Sequence, residues 1–190
     1  MKITIELQSF ITNGAFNAIA RNAFLDAGGT ILYPATVVTS GIVINGDAPP
    51  TEPDWAMEGK TVQNPCGYVD PSTIVFFQTK EMRNGLAIKN TELSDKIWRA
   101  GLKPGNANIL VFLEQNQGYL ANVPKHINCL LATETMFNGK DRPGCGIPGK
   151  SFSCLYRRKS GKWELSNRRL DSGCSGDYSR VTDAAVAFPL

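Results

Sequence analysis

The sequence predicts an α+β domain with a mainly antiparallel sheet, an N-terminal helix, one further helix and a cysteine-rich C-terminal β region. Three observations lead there. The 18 glycines and 11 prolines punctuate the chain with turns and favour short strands over a helical bundle. Apolar residues recur at helical spacing in two stretches. Alternating or β-branched runs bounded by turn residues recur roughly eight or more times along the chain. A length of 190 residues suits one domain spanning 1–190 and is enough to bury a core without metals or staples. Residues 140–190 stand out within it as a cysteine- and arginine-rich subregion.

The elements follow in order. Asn13 to Ala27 reads as a helix, with Phe16, Ile19, Ala20 and Phe24 on one face. Thr12 or Asn13 caps its start and Gly28-Gly29 closes it in left-handed geometry. Thr30–Tyr33 and Thr36–Ile44 read as strands, the second rich in β-branched residues. Asn45-Gly46-Asp47 is a turn signal. Ala48–Trp55 carries Pro49, Pro50 and Pro53 and must be irregular. A turn-rich stretch at Asn64–Pro71 leads into an apolar strand at Thr73–Gln78. Thr91–Ala100 reads as the second helix, capped by Asn90 or Thr91, with Leu93 and Ile97 at i and i+4 and Gly101 as its stop. Asn108–Leu113 and Ile127–Ala132 read as buried strands. From Ser151 a hairpin is expected. Phe152, Cys154 and Tyr156 alternate with Ser151, Ser153 and Leu155, Ser160-Gly161 turns the chain, and Trp163 and Leu165 alternate on the return. Val181–Leu190 reads as a last strand, with Pro189 at its edge.

Hydrophobic residues make up 42% and charged residues 19% of the chain, a balance that disordered chains lack. The net charge is +3, unevenly spread: from Lys140 onward 10 Lys/Arg face 5 Asp/Glu, against 10 and 12 before it. Such asymmetry marks either a solvated basic face or a polyanion surface. No apolar run approaches the ~18 residues of a membrane helix. The first residues, Met1 to Gln8, alternate like a strand rather than forming a signal-peptide core. That leaves a cytosolic chain, export by another route, or a mature form without its leader.

The five cysteines are Cys66, Cys129, Cys145, Cys154 and Cys174. All are disulfide candidates, and the odd count leaves one thiol free or bridged to another chain. Their turn-rich setting favours an oxidising location, extracellular or at the cell surface.

Several motifs carry chemistry. Gly144 to Ser151 matches the phosphate-loop pattern G-x-x-x-x-G-K-[ST], in which backbone N–H groups, Lys150 and Ser151 would hold phosphates and Mg²⁺. Its flanks oppose it: a polar turn precedes and an alternating, strand-like run follows. The only histidine, His126, forms H-x-x-C with Cys129, and Cys145 and Cys154 would complete a zinc set whose spacing is poor. Cys66 and His126 are the elements of a thiol hydrolase without an identifiable orienting group. Asp171 to Asp177 is oxygen-rich but lacks the EF-hand ligand order. Scattered carboxylates admit a glycosidase pair only if the fold joins two of them. Arg157, Arg158, Lys159, Lys162, Arg168 and Arg169 flank the hairpin beside Tyr156 and Trp163, a basic and aromatic mixture found in nucleic-acid grooves. On a strand, consecutive arginines face opposite sides, which divides such a stripe.

In plan, an early Ala-rich helix, a β-rich body and a cysteine-bracketed C-terminal region are similar to the soluble regions of pilin-like subunits, an architectural analogy. The expectation is a non-enzymatic structural or binding subunit of an extracellular or virion-type assembly, as in a surface appendage or adhesin. It needs no cofactor, and its partners are protein subunits of the same assembly. The alternative is a polyanion- or nucleic-acid-binding module using the basic hairpin. A nucleotide-binding or thiol-dependent enzyme ranks third.

Overall fold

A computed structural model describes residues 31–34, 41–54, 56–139, 149–169, 178–179 and 182–190. The expected N-terminal helix at Asn13–Ala27 lies outside them, as does most of the strand expected at Thr36–Ile44. The described chain is mixed α/β, with a multi-strand sheet and three α-helices.

Among the described residues the main sheet has eight strands. They are β1 (Ile31–Pro34), β3 (Val62–Gln63), β5 (Val75–Gln78), β7 (Leu102–Pro104), β8 (Cys129–Asn138), β9 (Lys150–Arg157), β10 (Trp163–Arg169) and β12 (Asp183–Pro189). Their order is β1-β5-β12-β8-β9-β10, with β3 against β8 and β7 against β12. β12 runs parallel to β8 and antiparallel to β5 and β7. Two small ribbons pair β2 (Ile44–Asn45) with β4 (Tyr68–Val69), and β6 (Ile88–Lys89) with β11 (Tyr178–Ser179). The helices are α1 (Lys80–Arg83), α2 (Asn90–Arg99) and α3 (Ala107–Gln115).

Side-chain alternation along the strands sorts the core into two layers. Phe76, Leu130, Leu155, Ala184 and Val186 face α3, where they meet Ile109, Leu110 and Leu113. Phe77, Cys129, Leu131, Cys154, Ala185 and Ala187 face the opposite side and pack with Leu93 and Ile97 of α2. The central strands are therefore apolar on both faces, as β12 shows in its run from Ala184 to Phe188.

Two expectations change. Asn108–Leu113 is helical, not a strand. Its apolar run suits either structure, and length is the arbiter, because α3 extends to nine residues. Ile109, Leu110 and Leu113 then form one fully buried stripe, each contributing roughly 1.5–3 kcal/mol of burial. α2 is capped from Lys89, without a side-chain cap bond, rather than by Asn90 or Thr91. The expected last strand forms as Asp183–Pro189 in the middle of the sheet, and Pro189 is tolerated there because it is the strand's terminal residue.

The strand expected at Ile127–Ala132 is the first part of a longer one. β8 changes register between Ala132 and Met136. Before the shift it lies against β12, and beyond it against β3. The irregular segment supplies the start of α3: Thr135 Oγ1 accepts the Ala107 N–H at 2.9 Å and donates to Gln63 Oε1 at 2.7 Å. Just before α3, Gly105 donates its N–H to Val186 O at 2.8 Å. A Cβ there would sit 2.7 Å from Val186 Cγ2, so the approach of this loop to β12 requires glycine.

Candidate functional site

The hairpin of β9 and β10 forms as its alternation predicts. Arg158 N–H donates to Lys162 O and Gly161 N–H to Arg158 O, both at 2.8 Å. Gly161, at φ 86°, supplies the left-handed residue such a three-residue connection needs.

Arg157, the last residue of β9, fastens this tip to the loop before β8. Its Nη2 donates to Val123 O at 2.8 Å and its Nη1 to Pro124 O at 3.1 Å. The guanidinium carbon lies 4.6 Å from the centroid of the Trp163 ring, a cation–π geometry. Burial draws the Arg157 pKa down from its usual value. Trp163 is itself buried and locked by Gln117, which accepts the indole residue's backbone N–H at 3.1 Å and donates to its carbonyl at 2.8 Å.

Between the tip and the loop opens a cleft of ≈ 570 Å³, lined by Lys125, Arg157, Arg158, Lys159, Gln117 and Trp163 among others. Arg158 pairs with Glu164 at 2.6 Å; both are exposed, so the pair contributes little to stability. Among the described residues no ion pair engages Lys125 or Lys159.

The six basic residues expected to act together are divided. Arg157, Arg158 and Lys159 line the cleft, and Lys162 is exposed beside it without lining it. Arg168, expected on a polyanion surface, is turned inward. Its Nη1 and Nη2 donate to the two carboxylate oxygens of Asp183 at 2.9 and 3.0 Å, and its Nε to Tyr156 Oη at 3.2 Å. The Arg169 side chain lies outside the described residues. Lys125 was invisible as a partner, because it lies in a loop far from the hairpin in sequence and is brought there by the Arg157 bonds to the two preceding carbonyls.

The cysteines divide as well. Cys66, Cys129 and Cys154 are free and buried; Cys145 and Cys174 lie outside the described residues. Cys66 belongs to the α3 layer, whereas Cys129 and Cys154 belong to the α2 layer. The sheet thus separates Cys66 from the other two, and no bridge joins it to either. Cys66 Sγ donates toward Pro104 O at 3.6 Å, and burial pushes its pKa from 9.0 up to about 11. That opposes a thiolate nucleophile. His126, its expected base, is exposed on the loop before β8.

Burial likewise raises Cys129, with further contributions from neighbouring Cys154, and raises Tyr156 to about 12. An unfolded thiol ionises from about pH 9, while the folded state keeps its proton. The stability that the buried Cys66 thiol contributes is therefore full below pH 9 and is lost as pH rises toward 11, roughly 2–3 kcal/mol over that window. Urea unfolding at about pH 8 and about pH 10.5 checks this; an unchanged midpoint would refute it.

The phosphate-loop match does not have its required helix: Lys150 and Ser151 open β9. Among the described residues, no group of three or more His, Cys, Asp or Glu side chains could hold a metal ion. Two of the carboxylates are engaged locally. Glu134 accepts from Ser94 Oγ at 2.7 Å and Asn64 Nδ2 at 2.5 Å, and Glu81 pairs with Lys96 at 2.5 Å. No helix among the described residues is long and apolar enough to cross a membrane. Comparison with models of protein families, with curated proteins and with solved structures finds no match.

Proposed function

We propose that this chain is a non-enzymatic structural or binding subunit that works by contact with protein subunits of one extracellular or virion-type assembly. The observation that carries the reading is the outer face of the β2–β4 ribbon. Ile44 and Val69 pair across it and are buried, so their neighbours project outward. Tyr68 is 76% and Val43 56% exposed there. The pairing makes them diagonal neighbours on one face. A large aromatic beside a β-branched residue on a short ribbon supports a contact role, since tyrosine supplies apolar area and a polar tip at once. The ribbon is firmly seated beneath: Gly46 N–H donates to Gly67 O at 2.8 Å and Asn106 Nδ2 to Gly46 O at 2.6 Å.

Sedimentation velocity over a concentration series tests the reading. The full chain is expected to self-associate, and Tyr68→Asp to remain monomeric with its melting temperature unchanged. A chain that is monomeric at every concentration, or a Tyr68→Asp variant that associates like the parent, overturns it.

A further inference from the structure

We propose that the cleft between the β9–β10 hairpin tip and the loop around Lys125 binds a small ligand bearing phosphate or sulfate ester groups. The proposal stands on three features of the site and is independent of the ribbon contact.

The first is charge. Lys125, Arg157, Arg158 and Lys159 converge on one cleft. Among the described acidic residues on the neighbouring elements, Glu164 holds Arg158 and Glu114 accepts the Leu165 N–H at 2.9 Å. Neither lines the cleft, so the balance within it is cationic.

The second is preorganisation. Arg157 is fixed by two carbonyls and by the Trp163 ring, and the hairpin turn is closed by two backbone hydrogen bonds. These contacts fix the Arg157 guanidinium and the backbone of the hairpin tip before a ligand arrives, which reduces the ordering cost of binding. Lys125 and Lys159, exposed and outside any ion pair among the described residues, supply the mobile charges that close on an oxyanion.

The third is what the site lacks for a nucleic-acid strand. Trp163 is 3% exposed and its ring is covered by Arg157, so it offers no stacking platform for a base. A volume of ≈ 570 Å³ lies within the ordinary range of small-molecule sites. The chemistry that fits is a compact, multiply charged oxyanion held by ammonium and guanidinium donors.

Pyrophosphate and sucrose octasulfate serve as probes, titrated at low salt against the full chain and followed by backbone amide NMR and calorimetry. Shifts are expected at Lys125, Lys159, Ser160 and Gly161. The Lys125→Ala, Lys159→Ala double variant should bind at least about tenfold more weakly, as loss of two charged hydrogen-bonding groups implies. Neither replacement touches a contact that holds the fold, unlike Arg157. Lys60→Ala, an exposed site outside the cleft, should bind like the parent. Binding of pyrophosphate alone assigns phosphate esters; binding of the octasulfate alone assigns sulfate esters. Absence of shifts at those amides with both probes, or equal weakening by Lys60→Ala, overturns the proposal.

Discussion

Replacing Asp183 with alanine is expected to cost about 3–5 kcal/mol, because removing one partner of a buried ion pair strands the surviving charge. The side chains of Arg168 and Asp183 are 14% and 3% exposed and meet through two parallel bonds. Burial works against the guanidinium's charge, but the bond to Asp183 outweighs it and raises the Arg168 pKa above its usual value. The backbone carbonyl of Asp183 accepts from buried Gln78 Nε2 at 3.0 Å, a bond that the alanine variant keeps. With Asp183 replaced, the guanidinium keeps its bond to Tyr156 but loses its bidentate carboxylate partner. Set against a total stability of about 5–15 kcal/mol for a domain, the loss leaves the variant close to unfolding at ordinary temperatures. The double replacement Arg168→Met, Asp183→Leu should recover most of it, because two apolar groups of similar size need no pairing. Urea unfolding of both variants checks the pair. A loss below about 1 kcal/mol for Asp183→Ala would mean that water reaches the guanidinium, as for a surface pair.

The same residue marks how far the sequence is legible. Arg168 reads as one member of a basic run, and nothing local distinguishes it from Arg157 or Arg158. Alternation places it on one face of β10, but the identity of that face's cover depends on the strand order, which brings β12 within reach across β8 and β9. Asp183 lies in an otherwise apolar segment, and an acid flanked by Ala184, Ala185 and Val186 is a signal of a buried partner. The hairpin itself was legible because turn chemistry and alternation agree over short distances. So was α2, from Leu93 and Ile97. α3 was not, because Ile109 to Leu113 is apolar without interruption and period cannot separate a buried strand from a buried helix. Strands of two residues, such as β3 and β6, leave no periodic trace at all. The cleft was half legible: Arg157, Arg158 and Lys159 stand together in sequence, whereas Lys125 joins them through hydrogen bonds made by its preceding carbonyls.

The two-layer core leads to the second large effect, at Phe76. Phe76 is fully buried in the α3 layer, while its neighbour Phe77, 1% exposed, faces the α2 layer. Phe76→Ala is expected to destabilise by about 3–5 kcal/mol, combining lost transfer energy with the cavity left among Ile109, Leu130 and Val186. Phe77→Ala should cost a similar amount for an unrelated reason, since the cavity opens beside Leu131 and Ile97. The informative comparison uses milder changes. Phe76→Leu and Phe77→Leu each keep an apolar group of nearly the right volume and should cost about 1–2 kcal/mol. Adjacent residues in one core ordinarily couple through a shared cavity. Here the sheet stands between them, so the double variant should equal the sum of the singles within about 0.5 kcal/mol, as for distant sites. Urea denaturation of the three variants measures the coupling directly. A coupling above about 1 kcal/mol would show that strand β5 shifts to relax both cavities together, and that the layers flanking the sheet behave as one core.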